Sequence, residues 1–148
     1  MPGMALLLSL LLTLTAGWPV PGPHVTRRFD PPPHPWLAGH RGVDLSAPPA
    51  TPVRAAAAGT VLFADAIAGR GVVSIAHPGG LRTTYEPLTI GPVRAGHVVS
   101  AGQEIGTLAA GHAGCPVRAC LHWGLRRGDD YLDPLTLLGA GRVRLLPL

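Results

Sequence analysis

The chain contains no lysine: all 12 of its basic residues are arginine. Without a side-chain primary amine there is no Schiff-base chemistry and no phosphate-loop lysine. Lipoyl and biotinyl carriers, which need the same amine, are excluded with them. Charge is sparse, at 14% of residues, and the arginines are scattered, with adjacent pairs at Arg27–Arg28 and Arg126–Arg127. No basic helix or aromatic-interleaved basic patch is present, which argues against nucleic acid as a partner. Ser46, Ser74 and Ser100 lack a nucleophile-elbow context, so a serine hydrolase finds no support. Cysteine is confined to Cys115 and Cys120.

What is abundant is glycine (20) and proline (17) in 148 residues. That composition suits one domain of many short strands joined by tight turns. The net charge of +4 suits an anionic surface such as a cell wall.

One long apolar run exists, Ala5 to Ala16 (ALLLSLLLTLTA). It has signal-peptide length and is short for a bilayer span. Thr15, Ala16 and Gly17 offer a cleavage point, although the preceding MPGM carries no arginine. The alternative is a buried or anchoring segment. Residues 1–24 therefore read as a signal peptide and a stiff Pro-rich linker, WPVPGP, with no stable membrane span expected after cleavage. Residues 25–140 read as the folded domain, and 141–148 as a loose tail. Secretion or cell-wall association follows as the expected location.

Turn-forming AAG, AGRG, HPGG and SAGQ divide the domain. Strands are expected near 52–56, 59–65, 71–77, 81–88, 97–99, 104–109 and 119–126. GVVSIAH-PGG-LRTTYEPL reads as a hairpin. DPLTLLG at 133–139 reads as a short C-terminal helix or turn. The fold class is thus all-β, a small single domain of antiparallel sheets.

Among the seven histidines, His24, His34 and His97 read as solvated, and His77 as a structural hydrogen-bonding residue. His40 and Asp44 stand four apart in HRGVD. In a straight strand their Cα atoms would be about 13 Å apart, too far to share an ion. A bend or bulge at Gly42 would bring them together. In ACLHWG, Cys120 and His122 face one side of a strand. Leu121 and Trp123 face the other, toward the core. Each fragment alone is also compatible with a surface loop or a buried, satisfied histidine.

The ordered set is more specific. GHRGVDLSAPPATPVRAAAAGTVLFA, GGLRTTYEPL, VRAGHVVSAGQEIGTL and CLHWGLR together resemble the lysostaphin-type (LytM-like) zinc endopeptidases that cut peptidoglycan cross-bridges. The resemblance runs from about Arg28 to Leu138. It implies a small β fold with a narrow groove over a zinc ion, with Tyr85 as the groove residue. It implies His40, Asp44 and His122 as metal ligands. Three protein ligands with a fourth position open is the pattern of a catalytic zinc.

The sequence departs from the family at two catalytic histidines. Cys120 replaces the first His of H-x-H, and Pro87 replaces the His of Y-x-H-L. Two residues are candidate substitutes. Glu86 is a possible base, but alternation points it away from the face of Tyr85 and Pro87 unless Pro87 distorts the strand. The alternative for Glu86 is a solvated or ion-paired carboxylate. His112, in the loop before the cysteines, is the second. Cys120 has three readings: a disulfide with Cys115, which export favours, a thiolate metal ligand, or a free thiol. Two functions follow from the resemblance. One is an exported zinc metallopeptidase acting on peptidoglycan. The other is an inactive zinc-binding module that binds peptidoglycan or regulates another cell-wall hydrolase.

Overall fold

Glycine and proline cut the chain into short strands, all of which pair antiparallel. The structure, a computed structural model, describes residues 12–139 and 142–145. Its strands are β1 (Leu12–Thr15), β2 (His24–Arg27), β3 (Val43–Ser46), β4 (Pro52–Arg54), β5 (Gly59–Ile67) and β6 (Arg70–Ala76). They continue as β7 (Leu81–Ile90), β8 (Val98–Val99), β9 (Glu104–Leu108), β10 (Cys120–Arg127), β11 (Asp130–Leu132) and β12 (Arg142–Leu145). Ten of these form one sheet along the path β2-β3-β10-β7-β6-β5-β8. β11 joins β10, and β9 links β7 to β4.

The expected strands match β4 to β10 within a few residues, and β6 and β7 form the expected hairpin. Its turn needs positive φ at Gly79 and Gly80, 78° and 73°, where a side chain would be strained. DPLTLLG forms a single 3₁₀ turn, Pro134–Leu137, capped by Asp133, whose carboxylate accepts from the Leu135 N–H. The AAAA run is not helical. Ala55, Ala56 and Ala57 are buried in a non-helical stretch between β4 and β5.

Two expectations about the ends are corrected. Trp18 to Val20 do not form a free linker. Val20 is buried, the Pro19 carbonyl accepts from Arg54 N–H, and Trp18 packs against Trp123. Proline stiffens this stretch, and its carbonyls and apolar side chains still find partners on the sheet. Within the expected signal segment, β1 forms and Leu14 is buried, while residues 5–11 lie outside the described residues. The tail is not wholly loose either. β12 pairs antiparallel with β1, Leu12 opposite Leu145 and Thr15 opposite Arg142. Residues 141 and 146–148 of that tail lie outside the described residues. Among the described residues, no helix is long and apolar enough to cross a membrane.

Strand alternation decides what the central strands β3, β10 and β7 present on each face. Register places Val43, Trp123 and Tyr85 side by side, and all three are fully buried. One residue along, Asp44, His122 and Glu86 are side by side and project from the opposite face. The hydrophobic core thus backs directly onto a row of polar side chains.

Candidate metal centre

His40 lies outside the named strands, held by a two-way backbone bridge to Asp30 with N···O distances of 2.7 and 2.8 Å. Gly39 allows that approach, since a Cβ there would come within 2.6 Å of the Asp30 carbonyl oxygen. The His40 Nδ1–H donates to the Arg28 carbonyl at 2.9 Å, which leaves Nε2 as the free ligand atom. Asp44 is on β3 and almost wholly buried. His122 is its cross-strand partner on β10.

The bend expected at Gly42 does bring His40 and Asp44 together. Their Nε2 and Oδ1 are 3.1 Å apart. Gly42 has a second role that the sequence reading missed. A Cβ there would lie 2.5 Å from the Trp123 carbonyl oxygen and 2.8 Å from His122 Nε2. Glycine is therefore required beneath the His122 ring. The glycine inside H-x3-D was a visible signal, but the clash that requires it depends on tertiary contact.

One oxygen collects the site. Asp44 Oδ1 lies 2.9 Å from His122 Nδ1, 3.1 Å from His40 Nε2 and 3.2 Å from His112 Nε2. The other oxygen, Oδ2, is buried with no hydrogen-bond partner. Hydrogen bonding alone would spread donors over both oxygens. Crowding nitrogens on one oxygen and orphaning the other suits a cation shared by these groups. Ligand atoms around a tetrahedral zinc stand roughly 3.4 Å apart for bonds of about 2.0–2.2 Å. One ligand atom each from His40, Asp44 and His122 lies within 4.8 Å of the others, so this trio could hold a metal ion. Burial pushes the Asp44 carboxyl up. The His122 hydrogen bond and the imidazoles of His112, His40 and His122 outweigh it, and the pKa is lowered on balance.

His112 reaches the centre from the 109–119 loop. Its side chain is 15% exposed and that of His122 18%, so the centre opens on this side. Cys115 and Cys120 are disulfide-bonded, tying the loop to the first residue of β10. Cys120 is fully buried. The position where the family has a histidine thus anchors the loop that carries one.

Glu86 is not turned away from the ligands. It is the direct cross-strand neighbour of His122, and directly opposed residues share a face. The register between β6 and β7 slips between Gly71 and Val73, opposite Glu86 and Pro87. Glu86 is 3.9 Å from Arg70, so its carboxylate is also placed for an exposed ion pair.

Tyr85 is corrected outright: it lines no groove. It is fully buried, and its hydroxyl accepts from the Ala56 N–H at 2.9 Å. That hydroxyl is 2.8 Å from Thr83 Oγ1, which is 2.6 Å from His77 Nε2. His77 Nδ1 is 2.7 Å from the Ala58 carbonyl. One proton arrangement satisfies all four links. Tyr85 donates to Thr83, Thr83 to Nε2 of neutral His77, and His77 to Ala58. Burial pushes the Tyr85 hydroxyl up to about 12 and lowers the His77 pKa, which keeps both in the required neutral form. His77 is the structural residue the sequence suggested.

Residues 38–134 match the model of peptidase family M23. An uncharacterized protein of Mycobacterium tuberculosis is 55% identical over 137 residues, 89% of this chain and 55% of that protein. The chain thus spans about half the length of the curated relatives it matches first. A zinc-containing peptidase from Vibrio cholerae is 26% identical, with a TM-score of 0.66 over 78% of this chain and 37% of that one. The antimicrobial peptidase lysostaphin from Staphylococcus simulans shares the fold, at 24% identity, with a TM-score of 0.68 over 81% and 51% of the two chains. With nearly two thirds of its length inside the matched region, an antiparallel β fold in common and a His-Asp-His cluster, the chain belongs to peptidase family M23.

Proposed function

We propose that the protein is an exported zinc-dependent peptidase that cuts peptide cross-bridges of peptidoglycan. The observation that carries this reading is the convergence of His40, His112 and His122 on one carboxylate oxygen of Asp44, whose other oxygen has no partner among the described residues. His40, Asp44 and His122 would hold the zinc. When bound, such an ion polarises the scissile carbonyl and brings water to a pKa near 7. The Arg28 carbonyl fixes the His40 tautomer, and Gly42 leaves room for the His122 ring. His112 is the group that takes a proton from water or holds one toward the leaving amine, in place of the histidines missing at 87 and 120. Glu86, on the same face, is the second candidate base. Its pairing with Arg70 favours His112. The Cys115–Cys120 disulfide supports an oxidising compartment and hence export.

A second reading rests on Pro87 and Cys120 standing at the two catalytic positions. It is a zinc-binding module that binds peptidoglycan or regulates another hydrolase. Peptide release from purified peptidoglycan separates the two. Zinc-loaded protein should release peptides, and His122→Ala should not. No release from folded, zinc-bound protein would reject the peptidase and favour the module.

A further inference from the structure

Arg82 on β7 and Arg126 on β10 are directly opposed. Such neighbours leave the sheet on the same face, with Cβ atoms about 4.5–5.5 Å apart. Two like charges there repel each other. All 8 acidic residues of the chain fall within the described residues. Among them, none forms an ion pair with either arginine within 4.0 Å. Both Nε atoms are buried without a hydrogen-bond partner among the described residues. The Arg126 guanidinium lies 5.8 Å from the centroid of the Tyr131 ring, a contact that supplies no anion.

The pair shares a hollow of about 320 Å³ with Leu62, Ala76 and Gly128. It also shares a face with the metal centre. On β10 that face runs His122, Gly124, Arg126, and on β7 it runs Glu86, Thr84, Arg82. Gly124 is buried, its open side filled by Thr84 Oγ1 and the Arg41 carbonyl, so the path between the two ends runs along β7 over the half-buried Thr84. Four residues along a strand span about 13 Å. A peptide lying extended along this path would cover that distance with about four residues.

We propose that Arg82 and Arg126 form a carboxylate-binding subsite for the free carboxylate of the substrate peptide, about four residues from the bond at the metal. A guanidinium group matches a planar carboxylate, two of them border this hollow, and Leu62 and Ala76 suit a short apolar side chain beside it. This proposal rests on the peptidase reading of the metal centre.

The test uses zinc-loaded full-length protein and two probes, N-acetyl-pentaalanine as the free acid and as its C-terminal amide. Binding is followed by NMR titration of the arginine Nε–H signals. The acid should bind roughly tenfold or more tightly than the amide. Arg82→Gln and Arg126→Gln should each reduce the acid to the level of the amide, with zinc content unchanged. Removing one of two repelling charges should not threaten folding. Equal binding of acid and amide by the wild type, including binding of neither, would overturn the subsite, as would variants that keep the preference. Peptide release is scored separately. Preference without release removes the peptidase reading and leaves the subsite; release without preference does the reverse.

Discussion

The two faces of the strands β3, β10 and β7 differ in one respect above all. On the core face the polar atoms of Tyr85, Thr83 and His77 are linked in a closed chain that ends on backbone groups of Ala56 and Ala58. On the opposite face Asp44 Oδ2, Ser74 Oγ, Arg82 Nε and Arg126 Nε are buried without partners. Trp123 Nε1 is the exception on the core side. A buried polar atom left unpaired costs about 1–3 kcal/mol. The sheet carries that cost mainly on the face that holds His40, Asp44 and His122, the group that could hold a metal ion. Polar groups on one face complete the fold, and those on the other await something from outside.

That contrast can be broken from either side. The largest effect is expected at His112. His112→Ala should retain zinc and lose about 10²–10⁴ in the rate of peptide release, the usual range for an acid–base group. Unchanged release would remove His112 and leave Glu86 as the base. Next is Gly42→Ala, whose Cβ would press on the Trp123 carbonyl and the His122 ring. Zinc affinity, measured by competition with a chelator, should fall about 10–100-fold, as when a ligand's support is disturbed.

The core face should respond in stability alone. Thr83→Val breaks the chain in the middle and leaves the Tyr85 hydroxyl proton and His77 Nε2 unpaired. Unfolding by urea should show a loss of about 1–3 kcal/mol, with zinc affinity unchanged. A fall in zinc affinity would show that the two faces are not separable.

The smallest effect is in pH dependence. The folded state holds the His77 pKa below its ordinary value of 6.5, chiefly through burial. The unfolded chain therefore binds the proton more readily. His77 contributes stability above about pH 6.5 that is lost as pH falls through its folded pKa. His77→Gln should remove that part of the acid slope. An identical slope in both proteins would contradict the neutral, buried assignment.

Much of this was legible in the sequence, for physical reasons. Strands β4 to β10 are bounded by glycine and proline, which disrupt pairing wherever they fall. The ligand trio follows from ordered motifs that survive in local sequence. Strands β1, β2, β3, β11 and β12 are only three or four residues long and carry too little periodicity to stand out. Tyr85, expected at the groove, and Glu86, expected to point away from it, stand the other way round in the structure. Alternation shows that they face opposite ways, but only the pairing of Tyr85 with Trp123 and Glu86 with His122 shows which way is the core. The opposed arginines escaped for the same reason. They are 44 residues apart and meet only through register.

The most direct test of the account is zinc content after dialysis, by elemental analysis of the wild type and Asp44→Ala. The account predicts one zinc per wild-type chain and none in the variant, with both proteins folded. Zinc retained by Asp44→Ala, or absent from the folded wild type after loading, would contradict it.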